Sequence, residues 1–164
     1  MLLEGKRGLV LGIANKRSIA WGIAQAAHRE GARLAVTYQG ERLEENVREL
    51  AQRLRDPLVL PCDVAKDDDL KTLAASVKEG LGGLDFVVHA VAFALREELD
   101  GEFLNTSREG YRLAQDISSY SLTALAKRTG RTKTFYAREA IEKYIDDLED
   151  LYLAEKELAK VQSG

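Results

Sequence analysis

A single cysteine in 164 residues cannot close an internal disulfide, so burial rather than covalent stapling must hold the fold, and a reducing cytoplasm is the expected setting. No apolar run approaches the ~20 residues needed to span a bilayer, which excludes a membrane-buried chain. The opening Met1-Leu2-Leu3-Glu4-Gly5-Lys6-Arg7 lacks the basic and apolar regions of a signal peptide. Only two histidines occur, His28 and His89, and neither has a second His, Cys or paired acid at ligand spacing, so no metal site is expected. The net charge of −3 gives no general affinity for nucleic acid.

What is present suits one soluble domain, or one domain with an appendage: 45% of residues are hydrophobic and 31% charged. Four apolar, β-rich runs alternate with amphipathic stretches. The runs are Gly8-Leu9-Val10-Leu11, Leu34-Ala35-Val36-Thr37-Tyr38, Leu58-Val59-Leu60 and Asp85-Phe86-Val87-Val88-His89-Ala90; the helical patterns between them cover about 18–30, 41–54 and 67–79. Near-continuous apolar strands separated by helices predict a parallel sheet covered on both faces. Right-handed crossovers place the strands in the order 3-2-1-4, an α/β, Rossmann-like doubly wound arrangement. A further helix opens at Thr106-Ser107-Arg108-Glu109, read as a capping box, and runs through Tyr111, Leu113, Ile117, Tyr120, Leu122 and Leu125 to Gly130. No β-rich run occurs beyond Ala94, and the expected sheet is therefore truncated at four strands. A last helix is expected from about Thr132 or Thr134 to Val161, with a stripe at Ile141, Tyr144, Ile145, Leu148, Leu151, Tyr152 and Leu158.

The strand ends carry the chemistry. After the first strand, Gly12-Ile13-Ala14-Asn15-Lys16-Arg17-Ser18-Ile19-Ala20 leads into a helix. Gly12 permits a tight turn, the helix terminus offers free N–H groups to a pyrophosphate, and Ser18 can add a hydroxyl donor. Strand two ends at Tyr38-Gln39-Gly40, where Gln39 can hydrogen-bond a ribose. Strand three ends at Cys62-Asp63-Val64, where an acid can accept from an adenine amino group. Strand four ends in the small residues of His89-Ala90-Val91-Ala92-Phe93-Ala94. All four lie at carboxyl ends of strands, where open α/β sheets bind ligands.

These motifs, with Asp116-Ile117-Ser118-Ser119-Tyr120-Ser121-Leu122, resemble bacterial enoyl-acyl-carrier-protein reductase, a family of short-chain dehydrogenase/reductases that reduces enoyl thioesters with NADH. The resemblance covers about residues 1–127. It implies NADH as cofactor, with Gly12, Ala14, Ser18 and Ile19 holding its pyrophosphate and nicotinamide parts. By the same resemblance Gln39 faces the adenosine ribose, Asp63 and Val64 the adenine, and Ala90 the nicotinamide ribose, while Phe93 and Ala94 edge the substrate pocket. The family's Tyr-x6-Lys catalytic pair follows a fifth strand. Tyr120 with Lys127 and Tyr136 with Lys143 share that spacing, but two helical turns supply it by chance, and both are read as decoys with no catalytic residue assigned.

The stretch from Leu125 to Ile141 and on to Glu155 resembles instead the helices of ribbon-helix-helix antitoxins and repressors, which suggests a recombined or engineered chimera: a dinucleotide-binding half at 1–127 and a helical extension at 128–164. Lys127, Arg128, Arg131, Lys133 and Arg138 form a basic cluster read as a solvated helix junction, so sequence-specific DNA binding is not expected. A bare fourth strand and an apolar helical stripe favour pairing with a second copy, and a homodimer is expected. Three functions follow as expectations: a catalytically inactive chimera keeping part of an NADH site, an active NADH-dependent enoyl thioester reductase, or a DNA- or toxin-binding module. Cys62 is read as a packed thiol, Trp21 as core, and Asp67-Asp68-Asp69 as complementing a helix dipole rather than holding a cation.

Overall fold

The computed structural model describes residues 1–100 and 102–129. The helix expected from about Thr132, the apolar stripe, the extension at 128–164 beyond Thr129 and its ribbon-helix-helix resemblance lie outside the described residues.

Four strands, β1 (Arg7–Leu11), β2 (Arg33–Tyr38), β3 (Leu58–Pro61) and β4 (Phe86–His89), form one sheet in the order β3-β2-β1-β4. Every pairing is parallel, with Leu9 opposite both Ala35 and Val87. The helices α1 (Ile19–Arg29), α2 (Glu41–Ala51) and α3 (Asp67–Leu81) are the crossovers. They divide between the two faces, and each strand of the centre feeds both sides. Val10, Leu34 and Val36 point toward α1 and α2, joining Trp21, Ala24 and Val47; Leu9, Leu11 and Ala35 point toward α3, joining Leu70, Leu73 and Val77. This alternation explains the unbroken apolar runs: with both faces covered, every position of the two central strands after the opening Arg7 and Arg33 is buried. Trp21 is 2% exposed, as a core residue should be. The Phe86 ring on the neighbouring strand lies over Gly8, where a Cβ would stand 2.2 Å from it and displace the ring.

The chain end of α3 turns at Gly82 in the left-handed region (φ +74°) and delivers β4, locked at its start by Arg7 and Asp85, whose Nε–Oδ2 distance is 2.9 Å. The guanidinium of Arg7 holds the Asp85 carboxyl below its ordinary value. Among the described residues β4 pairs with β1 alone, and all four of its residues are only partly buried.

Two expectations about the following helix are corrected. The helix α4 (Arg108–Gln115) is capped by Ser107, whose Oγ accepts from Gly110 N at 2.9 Å, rather than by a Thr106–Glu109 box. The acid that completes the cap is Glu98, which accepts from the Ser107 backbone N–H and hydroxyl, while Glu109 pairs with Arg112. The helix is also not uniform. A π turn at Asp116–Tyr120 separates α4 from α5 (Ser121–Arg128). Of the apolar positions along the expected helix, Leu125 is buried, but Tyr111, Tyr120 and Leu122 are exposed. The buried residues of α5 are Ser121, Ala124, Leu125 and Ala126, and Ala124 and Leu125 pack with the α3 side of the sheet.

Candidate functional site

The carboxyl ends of all four strands open into one cleft of about 180 Å³, lined by Gly12, Ile13, Ala14, Thr37, Gln39, Leu43, Cys62, Val64, Ala90, Val91 and Ala92. Its floor is made where β1 and β4 converge. Gly12 has φ +99°, and a Cβ there would lie 2.1 Å from Ala90 O, so the backbone of one loop rests directly on the other. Only glycine meets both demands.

The loop between β1 and α1 is self-braced. Ser18 Oγ accepts from Ala14 N at 3.0 Å and Asn15 N at 2.9 Å, and donates to Asn15 O at 2.8 Å. The Ser18 hydroxyl therefore shapes the loop and its single proton is already placed. Ile19 begins α1 with its side chain 78% exposed, away from the cleft lining. What this residue offers a ligand is its backbone N–H in the first turn, where a helix leaves such groups unpaired. From the opposite side Asn46 of α2 donates to Ala14 O at 2.7 Å, tying the loop to the second crossover.

At the other end Gln39 and Asp63 meet: Gln39 Nε2 donates to Asp63 Oδ1 at 3.3 Å. Asp63 is in turn held by its own loop, accepting from Ala65 N, and its backbone N–H donates to Asp69 Oδ2 at 2.9 Å. Asp69 thus fastens α3 to the end of β3, the structural part read for that acidic triplet, and Asp67 pairs with Arg128 of α5. Among the described residues no group of three His, Cys, Asp or Glu is placed to hold a metal ion.

The expected residues Gly12, Ala14, Gln39, Val64 and Ala90 all line the cleft, with Asp63 bonded to Gln39 at its rim; Ser18 and the side chain of Ile19 do not line it. Ile13, Val91 and Ala92 line it as parts of the two loops expected there, whereas Thr37 and Leu43 were not anticipated as lining, nor was the Asn46 brace. Cys62 lines the cleft yet is 4% exposed, and burial, then the charges of Asp69 and Asp63, push its thiol up to about 12. It stays protonated at neutral pH, as a packing residue does. Tyr120 is exposed in the π turn and Lys127 is exposed on α5, and neither lines the cleft.

His89 ends β4 with Nε2 at 2.7 Å from Ser121 Oγ. Because the Ser121 hydroxyl donates to Ile117 O at 2.6 Å, its one proton is used and His89 must donate, which fixes the Nε2–H tautomer. Burial lowers the His89 pKa from 6.5. The unfolded chain then binds the extra proton first, so the neutral ring's contribution is complete above pH ~6.5 and is lost as pH falls from there through the depressed native value. Thermal melts at pH 7.5, 6.5 and 5.5 should show this as a falling midpoint, and the fall should be smaller in His89→Gln. An equal fall in both proteins would remove His89 as the cause.

The comparisons with known proteins agree with this geometry. The family described as enoyl-(acyl carrier protein) reductase matches residues 12–139. The chain belongs to this family. It is 56% identical over 127 residues to the enoyl-acyl-carrier-protein reductase (NADH) of Bacillus subtilis, covering 76% of this chain and 49% of that protein. With the Escherichia coli protein of the same name it shares 50% identity over 126 residues, covering 76% and 48%. A crystal structure of the Bacillus cereus reductase with NADP+ and an indole naphthyridinone superposes with TM-score 0.75 at 53% identity, covering 78% of this chain and 51% of the other. The Aquifex aeolicus reductase (NADH) gives 0.76 at 51%, covering 79% and 51%. The chain thus spans about half the length of the reductases it matches. No helix among the described residues is long and apolar enough to cross a membrane.

Proposed function

We propose that the cleft at the strand ends binds NADH and that the activity it serves is reduction of an enoyl thioester. The observation that carries this is the convergence of Gly12, Ala14, Gln39, Val64 and Ala90 on one cleft in a fold shared with the reductases at 50% identity and above. This reading displaces the inactive chimera as the leading one. The likeness to NADH reductases rests on the described residues, whereas the ribbon-helix-helix resemblance does not.

The residues present fit the cofactor. Gln39 and Asp63 offer an amide and a carboxylate to a ribose hydroxyl and an adenine amino group, Gly12 and Ala14 let a pyrophosphate approach the backbone, the first turn of α1 offers it N–H groups, and residues 90–92 have no bulk to hold a nicotinamide ribose away. Val64 packs the adenine. When bound, NADH supplies a hydride. The chain's own part is to bind and orient it, with Phe93, 45% exposed beyond Ala92, edging the space for the thioester. Reduction also needs a proton donor. Among the described residues no tyrosine lines the cleft, and this observation favours a second reading, in which NADH binds without turnover.

Two assays on the full chain separate the readings. NADH fluorescence should rise saturably with a Kd in the micromolar range, on the order of −8 kcal/mol of binding free energy. Loss of NADH absorbance with a crotonyl thioester should then follow enzyme-like kinetics; binding without turnover selects the second reading, and absence of binding overturns both.

A further inference from the structure

The reading above places a nicotinamide ribose against residues 90–92 but does not say what holds that wall in position, and the structure connects it to the π turn. Ser121 is 0% exposed, one of two fully buried polar side chains among the described residues, the other being Thr37. Its backbone N–H donates to Asp116 O, five residues back, instead of to Ile117 O, four back, as an α-helix would require. The widened turn leaves Ile117 O to accept the Ser121 hydroxyl, and the hydroxyl oxygen in turn accepts from His89 Nε2. His89 precedes Ala90, whose N–H donates to Leu11 O at 3.2 Å and whose carbonyl rests against Gly12. The same turn makes a second link to this segment: Ser118 Oγ accepts from Phe93 N at 3.3 Å. Residues 90–92 therefore run between two anchors, His89 and Phe93, both fastened to one irregular turn of helix.

We propose that Ser121, acting through His89, is a positioning residue for the 90–92 wall, and that Ser118 fixes the far end of the same wall. An unbroken α-helix would direct Ser121 N–H at Ile117 O and leave the buried hydroxyl to compete for it. The π turn removes that competition and gives the hydroxyl one donor and one acceptor partner. With the Ser121 hydroxyl deleted, the buried His89 N–H loses its acceptor, and the imidazole must shift to find another, taking Ala90 with it. The effect should be confined to the nicotinamide side. Gln39 and Asp63, which hold the adenosine side, are braced by α3 through Asp69 and share no bond with the π turn.

This inference rests on the proposed NADH site, and a pair of ligands tests it. ADP carries the adenosine and pyrophosphate of NADH but neither the nicotinamide nor its ribose. In titrations of the full chain, Ser121→Ala should bind NADH about 5- to 10-fold more weakly than the parent, the effect of one lost hydrogen bond, with ADP affinity changed less than about twofold. His89→Gln, whose side-chain amide can still donate to Ser121, should recover NADH affinity to within about threefold of the parent. Ser118→Ala, partly exposed and so tolerant of substitution, should weaken NADH about threefold and spare ADP; it serves if Ser121→Ala does not fold. Parental NADH affinity in Ser121→Ala, or in Ser118→Ala where the first does not fold, overturns the inference alone. Equal losses for both ligands also overturn it, because they mark a general loss of structure. A parent chain that binds ADP but not NADH, or neither, removes the proposed site and the inference with it.

Discussion

Gly12→Ala should abolish NADH binding and unfold a large share of the protein. At φ +99° any L side chain is strained, at about 1–3 kcal/mol, and the added methyl would stand 2.1 Å from a backbone carbonyl that cannot rotate aside, costing about 1–3 kcal/mol more as overpacking. Relief requires β1 and the 90–92 segment to separate, which opens the floor of the cleft. NADH affinity should therefore fall by about 100-fold or more in whatever remains folded. Gly22→Ala is the internal control. It lies in the middle of α1 with nothing within 4 Å of a new Cβ, so the same substitution should stabilise by about 0.5–1 kcal/mol. Equal behaviour of the two variants in urea denaturation would contradict the close approach of β1 to β4.

Leu125→Ala carries the second large effect. Leu125 is 1% exposed and packs with Leu70, Leu73 and Val77 of α3, so its truncation should cost about 2–5 kcal/mol and lower the melting temperature by about 5–15 °C. Leu122, three residues earlier on the same helix and 39% exposed, should tolerate alanine with a loss within about 1 kcal/mol. This pair bears on how residues 121–127 belong to the molecule. A silent Leu125→Ala would mean that α5 is not docked on the sheet domain, and the fold described above would end at the π turn.

The strands were legible in the sequence because each central strand is covered on both faces. Leu9-Val10-Leu11 and Leu34-Ala35-Val36 read as unbroken apolar runs, and the helices between them leave only parallel pairing with right-handed crossovers. The cleft followed from topology, because turn, amide and acid at successive strand ends must converge once the strands are parallel. Other features depend on contacts that sequence periodicity does not carry. Asn46 looks like one more polar residue on the wet face of α2 until the β1–α1 loop is seen beneath it. Thr37 interrupts an apolar strand in the way a solvent-facing residue would, yet is 3% exposed at the cleft. The π turn defeats a single helical phase outright. One extra residue in a turn rotates everything after it by about 100°, so one continuous helix through Tyr111 to Leu125 does not give the buried side of α5, which Ser121, Ala124, Leu125 and Ala126 form. Choosing Thr106 over Ser107 as the cap failed for a simpler reason. The completing acid, Glu98, comes from before the helix rather than within it.

The most direct test of the account is amide chemical-shift mapping of the full chain titrated with NADH. The account predicts saturable shifts that follow one binding curve at Gly12, Ala14, Ile19, Gln39, Asp63, Val64 and Ala90, with the amides of the opposite end of the sheet, such as Gly5 and Gly31, unmoved. Shifts scattered along the chain with no saturation, or none at the strand ends, would contradict it.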